Sequence, residues 1–204
     1  MTEERITAET QQATLGGGCF WCLEAIFQQV DGVLDVTSGY AGGHVADPSY
    51  RQVCSGETGH AEVVQVRFDP QRVTYRELLE LFFRTHDPTT PGRQGADVGP
   101  QYRSIILWHD REQERAARRL MDELDDAGVF DGPIVTELIP LERFYPAEDE
   151  HHRFYERNPE QVYCRIVIRP KLGTAREFLE ERGLAASHPQ DDRSAATPEQ
   201  GGHP

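Results

Sequence analysis

Apolar positions along this chain change period several times, and each change marks an element. Gln11 to Leu15 is a weakly polar segment that reads as extended; three glycines follow, and then Leu23, Ile26, Phe27 and Val30 recur at one-face helical spacing. The helix so predicted has Cys19 in its first turn. Val33 to Tyr40 and, more clearly, Ala61 to Phe68 read as strands, the second stopped by Asp69-Pro70. Thr74 and Glu77 have the spacing of a capping box, and Tyr75, Leu78, Leu79 and Phe82 give the following helix an apolar face. Tyr102 to Trp108 returns to strand. Asp110 then caps a helix whose core stripe is Ala117, Leu120, Met121 and Leu124, with Gly128 as its stop. A last strand is predicted over Ile134 to Ile139, and shorter helical pieces over Ala147 to Asn158 and Thr174 to Arg182.

The order β-α-β-β-α-β, with later additions, predicts an α+β fold: a two-layer sandwich with a mixed sheet in a split βαβ, ferredoxin-like arrangement. On this pattern Trp108 and Met121 are core residues. The connections Gly39 to Arg51 and Pro88 to Gln101 are long for a compact domain and rich in Tyr, Asp, Gly and Arg, which favours a functional role for both.

Length adds a limit: 204 residues with 37% hydrophobic content suffice for one domain with a proper core. We expect a flexible segment over 1–10, a catalytic domain over 11–185 and a disordered tail over 186–204, where the composition buries too little apolar surface to offset ordering entropy. No charged start followed by an apolar stretch opens the chain, and no run approaches the roughly 18 apolar residues of a membrane span, so a soluble, cytoplasmic protein is expected. A formal net charge of −14 argues against broad nucleic-acid binding. Four cysteines in such a chain read as reduced thiols with chemistry to do.

The run Gly16-Gly17-Gly18-Cys19-Phe20-Trp21-Cys22 carries the strongest chemical signal. A cysteine at a helix start meets unpaired N–H groups and the positive end of the dipole, which predicts a thiolate with a pKa below the free value of about 8.5. Phe20 and Trp21 set two aromatic surfaces beside it, as an apolar pocket wall would. The plainer reading is a buried cysteine with two core aromatics. Glu62 is the second signal, because strand parity places it on the side of Val64, Val66 and Phe68. Burial there would raise its pKa and make it a general acid near neutral pH; alternatively it reaches solvent at the strand start, or pairs with an arginine. Glu148-Asp149-Glu150-His151-His152 reads as a solvated acidic helix start rather than a metal cluster. His60 and His86 receive no role.

At this point the chain resembles the type A peptide methionine sulfoxide reductases. The matching segments are Gly18-Cys19-Phe20-Trp21, Gly39-Tyr40-Ala41-Gly42-Gly43, Pro48-Ser49-Tyr50-Arg51-Gln52-Val53-Cys54-Ser55-Gly56 and Thr58-Gly59-His60-Ala61-Glu62. They continue through His86-Asp87-Pro88, Arg93-Gln94-Gly95, Asp97, Gly99 and Gln101-Tyr102-Arg103-Ser104 to Phe144-Tyr145-Pro146-Ala147-Glu148 and Asn158-Pro159. The resemblance implies that Cys19 attacks the sulfoxide sulfur of the S epimer, protein-bound or free, and Glu62 protonates the departing oxygen. It assigns Phe20 and Trp21 to a methyl pocket, Tyr50 and Tyr102 to the sulfoxide oxygen, and Asp97 to orientation of the site. Oxygen then remains on Cys19 as a sulfenic acid, the step that stands on the cysteine oxidation ladder. No metal or cofactor is called for.

A second thiol must resolve that acid. Cys22 lies three residues from Cys19, a spacing redox pairs use; Cys164, in an expected loop after Asn158-Pro159, is its rival, Cys54 comes third, and an external thiol is the remaining route. The family often has glycine where this chain has Cys22, and often carries recycling cysteines in a glycine-rich tail that this chain lacks. The resemblance also implies thioredoxin as the reductant. Two other classes compete: a general dithiol oxidoreductase, which would use Cys19 and Cys22 without needing Glu62, Tyr50 or Tyr102, and a structural zinc module, disfavoured by the isolation of Cys54 and Cys164.

Overall fold

The computed structural model describes residues 9–186, so nearly all of the two expected terminal segments lies outside the described residues. The first element among the described residues is strand β1, Gln11–Gly16, which turns through glycines into helix α1, Phe20–Phe27. Strand β2, Val33–Ala41, is followed by the short helix α2, Tyr50–Cys54, and strand β3, Ala61–Phe68. Helix α3, Tyr75–Thr85, starts from the predicted Thr74–Glu77 capping box. Two-residue strands β4, Arg93–Gln94, and β5, Asp97–Val98, pair within the second long loop, ahead of β6, Ile105–Trp108, and α4, Arg111–Asp126. Strands β7, Glu137–Pro140, and β8, Phe144–Pro146, the one-turn helix α5, Phe154–Arg157, and helix α6, Arg169–Arg182, complete the order.

Six strands form one sheet in the order β7-β6-β1-β3-β2-β8, antiparallel throughout except for the parallel β6–β7 pair. The sheet is therefore mixed, and β3 lies between β1 and β2. Period-two alternation sorts its residues. Leu15, Val64, Val66, Phe68 and Ile106 face the helices and join one core with Leu23, Ile26, Phe27, Leu78, Leu79, Phe82 and Leu179. Ala41, Ala61, Val63, Ile105 and Leu107 face the other way and are covered by Ile139, Leu141 and Phe144. Met121 packs against the main core, as expected.

Several boundaries differ from the sequence pattern, each for a local reason. The strand expected from Tyr102 begins only at Ile105, because Pro100–Tyr102 form a 3-10 turn after Gly99, and Pro100 has no N–H to give a ladder. The strand expected from Ile134 begins at Glu137: the Val135 N–H is taken by the Pro88 carbonyl at 2.8 Å and the Ile134 N–H by Asp125 at 3.1 Å. The helix expected over Ala147 to Asn158 is broken. His152 is extended and Arg153 left-handed (φ 52°), leaving a 3-10 turn at Asp149–His151 and then α5. Cys164 is not in a loop; it opens a π-helical turn, Cys164–Ile168, that runs directly into α6. The pattern also missed α2, although Ser49 and Gln52 form a capping box, and β8, which adds to the β2 edge.

Candidate active site

The junction of β1 and α1 is built on close approach. A Cβ on Gly17 would sit 2.8 Å from the Phe82 ring and 3.0 Å from that of His86, and Gly18 adopts φ +96°, so the chain sinks onto the end of α3 before turning into α1. His86 itself is a satisfied structural residue: its ring nitrogens lie 2.6 Å from the Phe82 carbonyl and 2.7 Å from Ser104 Oγ. Burial pushes its pKa down to about 4, so it stays neutral. His60 is likewise engaged, by the Gly43 N–H and the Val45 carbonyl.

Cys19 is the N-cap residue of α1, with an extended backbone and a side chain that makes no capping bond. The first N–H of the helix, that of Phe20, is instead donated to Glu62 Oε2 at 3.0 Å. Glu62 is 1% exposed, and its Oε1 has no hydrogen-bond partner in the protein. Burial pushes the Glu62 carboxyl up to about 8 against the pull of the Phe20 N–H. At neutral pH the group is mostly the acid, with an uncommitted oxygen. The strand-parity expectation holds, and the solvent-reaching and arginine-paired alternatives for Glu62 do not.

The thiolate expectation for Cys19 does not hold in this state. Burial raises its thiol well above the ordinary value, and its hydrogen bond to Cys22 and the nearby Glu62 charge act in the same direction. The dipole that would favour the anion is spent on Glu62. Cys22 is the partner whose pKa falls: the bond from Cys19 comes first, against burial, with the Lys171 charge assisting. Tyr163 Oη lies 3.8 Å from Cys22 Sγ and donates to Asp97 Oδ2 at 2.8 Å.

Aromatic rings pack around the start of α1. The Phe20 ring stacks on Tyr50 at 6.2 Å between centroids and lies 5.4 Å from the His151 ring. Trp21 stacks on Phe154 at 3.7 Å with a 5° interplanar angle, and its Nε1–H is donated to His151 Nδ1 at 3.3 Å. Burial pushes the His151 imidazole down, so it stays neutral and its Nδ1 can accept. Glu148 bridges two elements: one oxygen accepts from the Tyr40 hydroxyl at 2.8 Å and the other from the Tyr50 N–H at 2.7 Å. The acidic run is the solvated start of a helical turn, as expected, with Glu148, Asp149 and Glu150 exposed at the head of the 3-10 turn, but it has a second role. It is a strap that carries Glu148 and the buried His151 against the aromatic wall.

Tyr50 and Tyr102 are half-buried, and both hydroxyls are raised by burial and then by the Glu62 charge; for Tyr102 the Cys19 charge adds to it. The structure thus brings Cys19, Cys22, Glu62, Phe20, Trp21, Tyr50 and Tyr102 together, with Asp97 joined through Tyr163. Cys164 is buried, and burial and the Cys22 charge raise its thiol; Cys54 is exposed at the end of α2. All four cysteines are free thiols. Among the described residues no three His, Cys, Asp or Glu side chains gather as a cation site would require, and no helix is long and apolar enough to cross a membrane. Sequence reasoning missed Tyr163, His151 and the bridging role of Glu148; the aromatic pairs Phe144-Tyr145 and Phe154-Tyr155 on either side of the acidic run were the available signal.

Paired thiols beside a protonated carboxyl and a wall of aromatic rings mark a cysteine-based oxidoreductase. A family model described as peptide methionine sulfoxide reductase matches residues 11–182. The peptide methionine sulfoxide reductase MsrA of Natronomonas pharaonis is 57% identical over 173 residues, covering 85% of this chain and 97% of its own length. That of Halobacterium salinarum is 58% identical over 168 residues, covering 82% and 95%. Among solved structures, Mxr1 from Saccharomyces cerevisiae in reduced form superposes with a TM-score of 0.72 at 36% identity, covering 78% of this chain and 91% of its own. The methionine sulfoxide reductase A of Corynebacterium diphtheriae gives 0.69 at 36% identity, covering 78% and 79%. The chain belongs to the peptide methionine sulfoxide reductases.

Proposed function

We propose that this enzyme reduces the S epimer of methionine sulfoxide, in proteins and free, through a sulfenic acid on Cys19, and that Cys22 then resolves that acid to a disulfide. The observation that carries the reading is Glu62 Oε1, a buried oxygen of a mostly protonated carboxyl, unpartnered and beside the Cys19 thiol. The sulfoxide oxygen is directed at Oε1 and at the Tyr50 and Tyr102 hydroxyls, and the methyl group at the Phe20 and Trp21 rings. As the Cys19 sulfur attacks, the S–O bond of the substrate breaks and oxygen passes to Cys19. The thiol hydrogen ends on that oxygen, with Glu62 delivering a proton on one side and recovering one on the other, and the product is the thioether. The neutral acid and neutral thiol of the resting site suit such an exchange, because the thiolate need exist only in the transition state.

Cys22 is favoured over Cys164 as the resolving thiol because it sits in the first turn of α1, its N–H bonded to the Cys19 carbonyl at 3.1 Å, whereas Cys164 is buried in a helical turn that would have to open. Thioredoxin is the proposed reductant of the disulfide. A structure of Mxr1 from Saccharomyces cerevisiae in complex with Trx2 supports that choice, at a TM-score of 0.51 and 27% identity. Residues 11–185 are proposed as the catalytic domain, on a split βαβ, ferredoxin-like core supported by the order β6-β1-β3-β2. Free thiols recycled by thioredoxin suit the cytoplasm, and a net charge of −14 disfavours nucleic acid as a partner.

The test incubates the protein with peptides carrying the S or the R sulfoxide and dithiothreitol, and follows methionine by mass spectrometry. Conversion of the S peptide alone is expected. Failure to reduce either peptide or free sulfoxide refutes the reading.

A further inference from the structure

The resolving step needs a place for the Cys22 proton, and bulk water is not one. Cys22 is 1% exposed. Its sulfur does meet Tyr163 Oη at 3.8 Å, within reach of a weak S–H bond, and that hydroxyl has already committed its hydrogen to Asp97 Oδ2 at 2.8 Å. With the hydroxyl hydrogen on Asp97, the Tyr163 oxygen is left as an acceptor facing the Cys22 thiol. The three groups form a directed chain from thiol to hydroxyl to carboxylate. The Tyr163 ring is held edge-on to Trp21, at 5.9 Å and 78°, so the hydroxyl has a fixed position.

We propose that Tyr163 is a catalytic residue of the resolving step: its oxygen takes the Cys22 proton as the sulfur attacks the Cys19 sulfenic acid, while its own hydrogen passes to Asp97. The role presupposes Cys22 as the resolving thiol, as proposed above. In this step the S–S bond forms and the S–O bond of the sulfenic acid breaks; the Cys22 thiol is oxidised and the sulfenic sulfur reduced, both to the disulfide level. Oxygen leaves as water, carrying the hydrogen it already holds and a second from Glu62. The proton on Asp97 replaces that equivalent through solvent. Asp97 thereby acts through Tyr163 and does not touch the sulfur. Lys171, the other charged group acting on Cys22, favours the developing thiolate but cannot accept its proton while it is an ammonium.

The experiment uses the whole reduced protein, one equivalent of the S sulfoxide and no reductant. The wild-type disulfide is mapped first; then the lifetime of dimedone-trappable sulfenic acid is followed by rapid quench in wild type, Tyr163→Phe and Asp97→Asn. We expect a Cys19–Cys22 disulfide in wild type, and in both variants a sulfenic acid that persists at least about 10-fold longer, on the scale of lost general-base assistance. Its decay in the variants should speed up as pH rises, since hydroxide must then do what Asp97 did. A purely structural role for Tyr163 would not produce that pH dependence. A wild-type lifetime in Tyr163→Phe, or in Asp97→Asn should the first variant not fold, overturns the relay while Cys22 keeps its role. A mapped Cys19–Cys164 disulfide without Cys22 overturns the resolving assignment itself.

Discussion

Replacing Glu62 by glutamine separates what the carboxyl does for the reaction from what it costs the fold. The amide keeps the shape and an oxygen for the Phe20 N–H, but it delivers no proton. With the carboxyl pushed up to about 8, about 90% of wild-type molecules hold the acid at pH 7. The variant should therefore lose on the order of 10²-fold or more in the first step. Single-turnover quench-flow with methionine release as the signal measures it directly, and the wild-type rate should decline above pH 8 as the acid ionises. Stability should move the other way. A carboxyl raised from 4.5 to about 8 makes the folded state bind a proton that the unfolded chain has released, so stability falls as pH rises through that window, and this group's contribution is fully lost above it. The shift corresponds to roughly 4–5 kcal/mol. Glu62→Gln escapes that loss, so its advantage in urea unfolding over wild type should be small near pH 4 and grow by several kcal/mol by pH 9. An unchanged single-turnover rate, or a stability gap that does not widen with pH, would refute the assignment of a buried acid.

The other expectations are shorter to state. Cys19→Ser should abolish methionine release with an unchanged far-UV circular dichroism spectrum, because a hydroxyl at this helix start is far less nucleophilic than a thiol; appreciable turnover would remove Cys19 from the role. Cys22→Ser should release about one methionine per enzyme and then stall with thioredoxin, while Cys164→Ser should turn over nearly as wild type; the opposite pattern would transfer the resolving role to Cys164. Glu148→Gln weakens the bonds to Tyr40 and Tyr50 and should cost roughly 1–3 kcal/mol in denaturant unfolding together with a higher KM; an unchanged KM would limit Glu148 to a structural tie.

How far the sequence carried the fold depends on the range of the signal. Ala61–Phe68 was legible to both ends and the helix from Tyr75 at its capped start, because alternation and a Thr-x-x-Glu box are properties of neighbouring residues. The helix across 147–158 failed at Arg153, whose left-handed backbone answers to the strap's docking and not to helix propensity. At Cys19 the local rule was correct and was outweighed. A helix N-terminus is worth about 0.3–1 kcal/mol to an anion, up to about 2 in favourable sites, whereas withdrawing a charge from water costs several kcal/mol. Cys19 is only 7% exposed, so burial decides the sign.

Residues that escaped the sequence reading share one property. The Tyr50–Glu148, Tyr40–Glu148, Trp21–His151 and Cys22–Tyr163 contacts join positions 98, 108, 130 and 141 residues apart. No window of periodicity spans such a distance, so these contacts exist only once the sheet and α1 have formed a surface for the strap and the Tyr163 turn to close upon. The division has a mechanistic consequence. Cys19, Cys22 and Glu62 sit on the rigid centre, where α1 leans on β3, and their geometry is set by core packing. The groups that orient them and those that we propose receive their protons arrive on later segments, which dock on that centre through polar contacts and ring faces and through Ala147, Cys164 and Ile168, buried in the same core. A protein reductant that is to reach a disulfide formed between these sulfurs must therefore displace packed side chains as well as polar contacts, so the cost of that opening bears on the recycling step and not on the chemistry at Cys19.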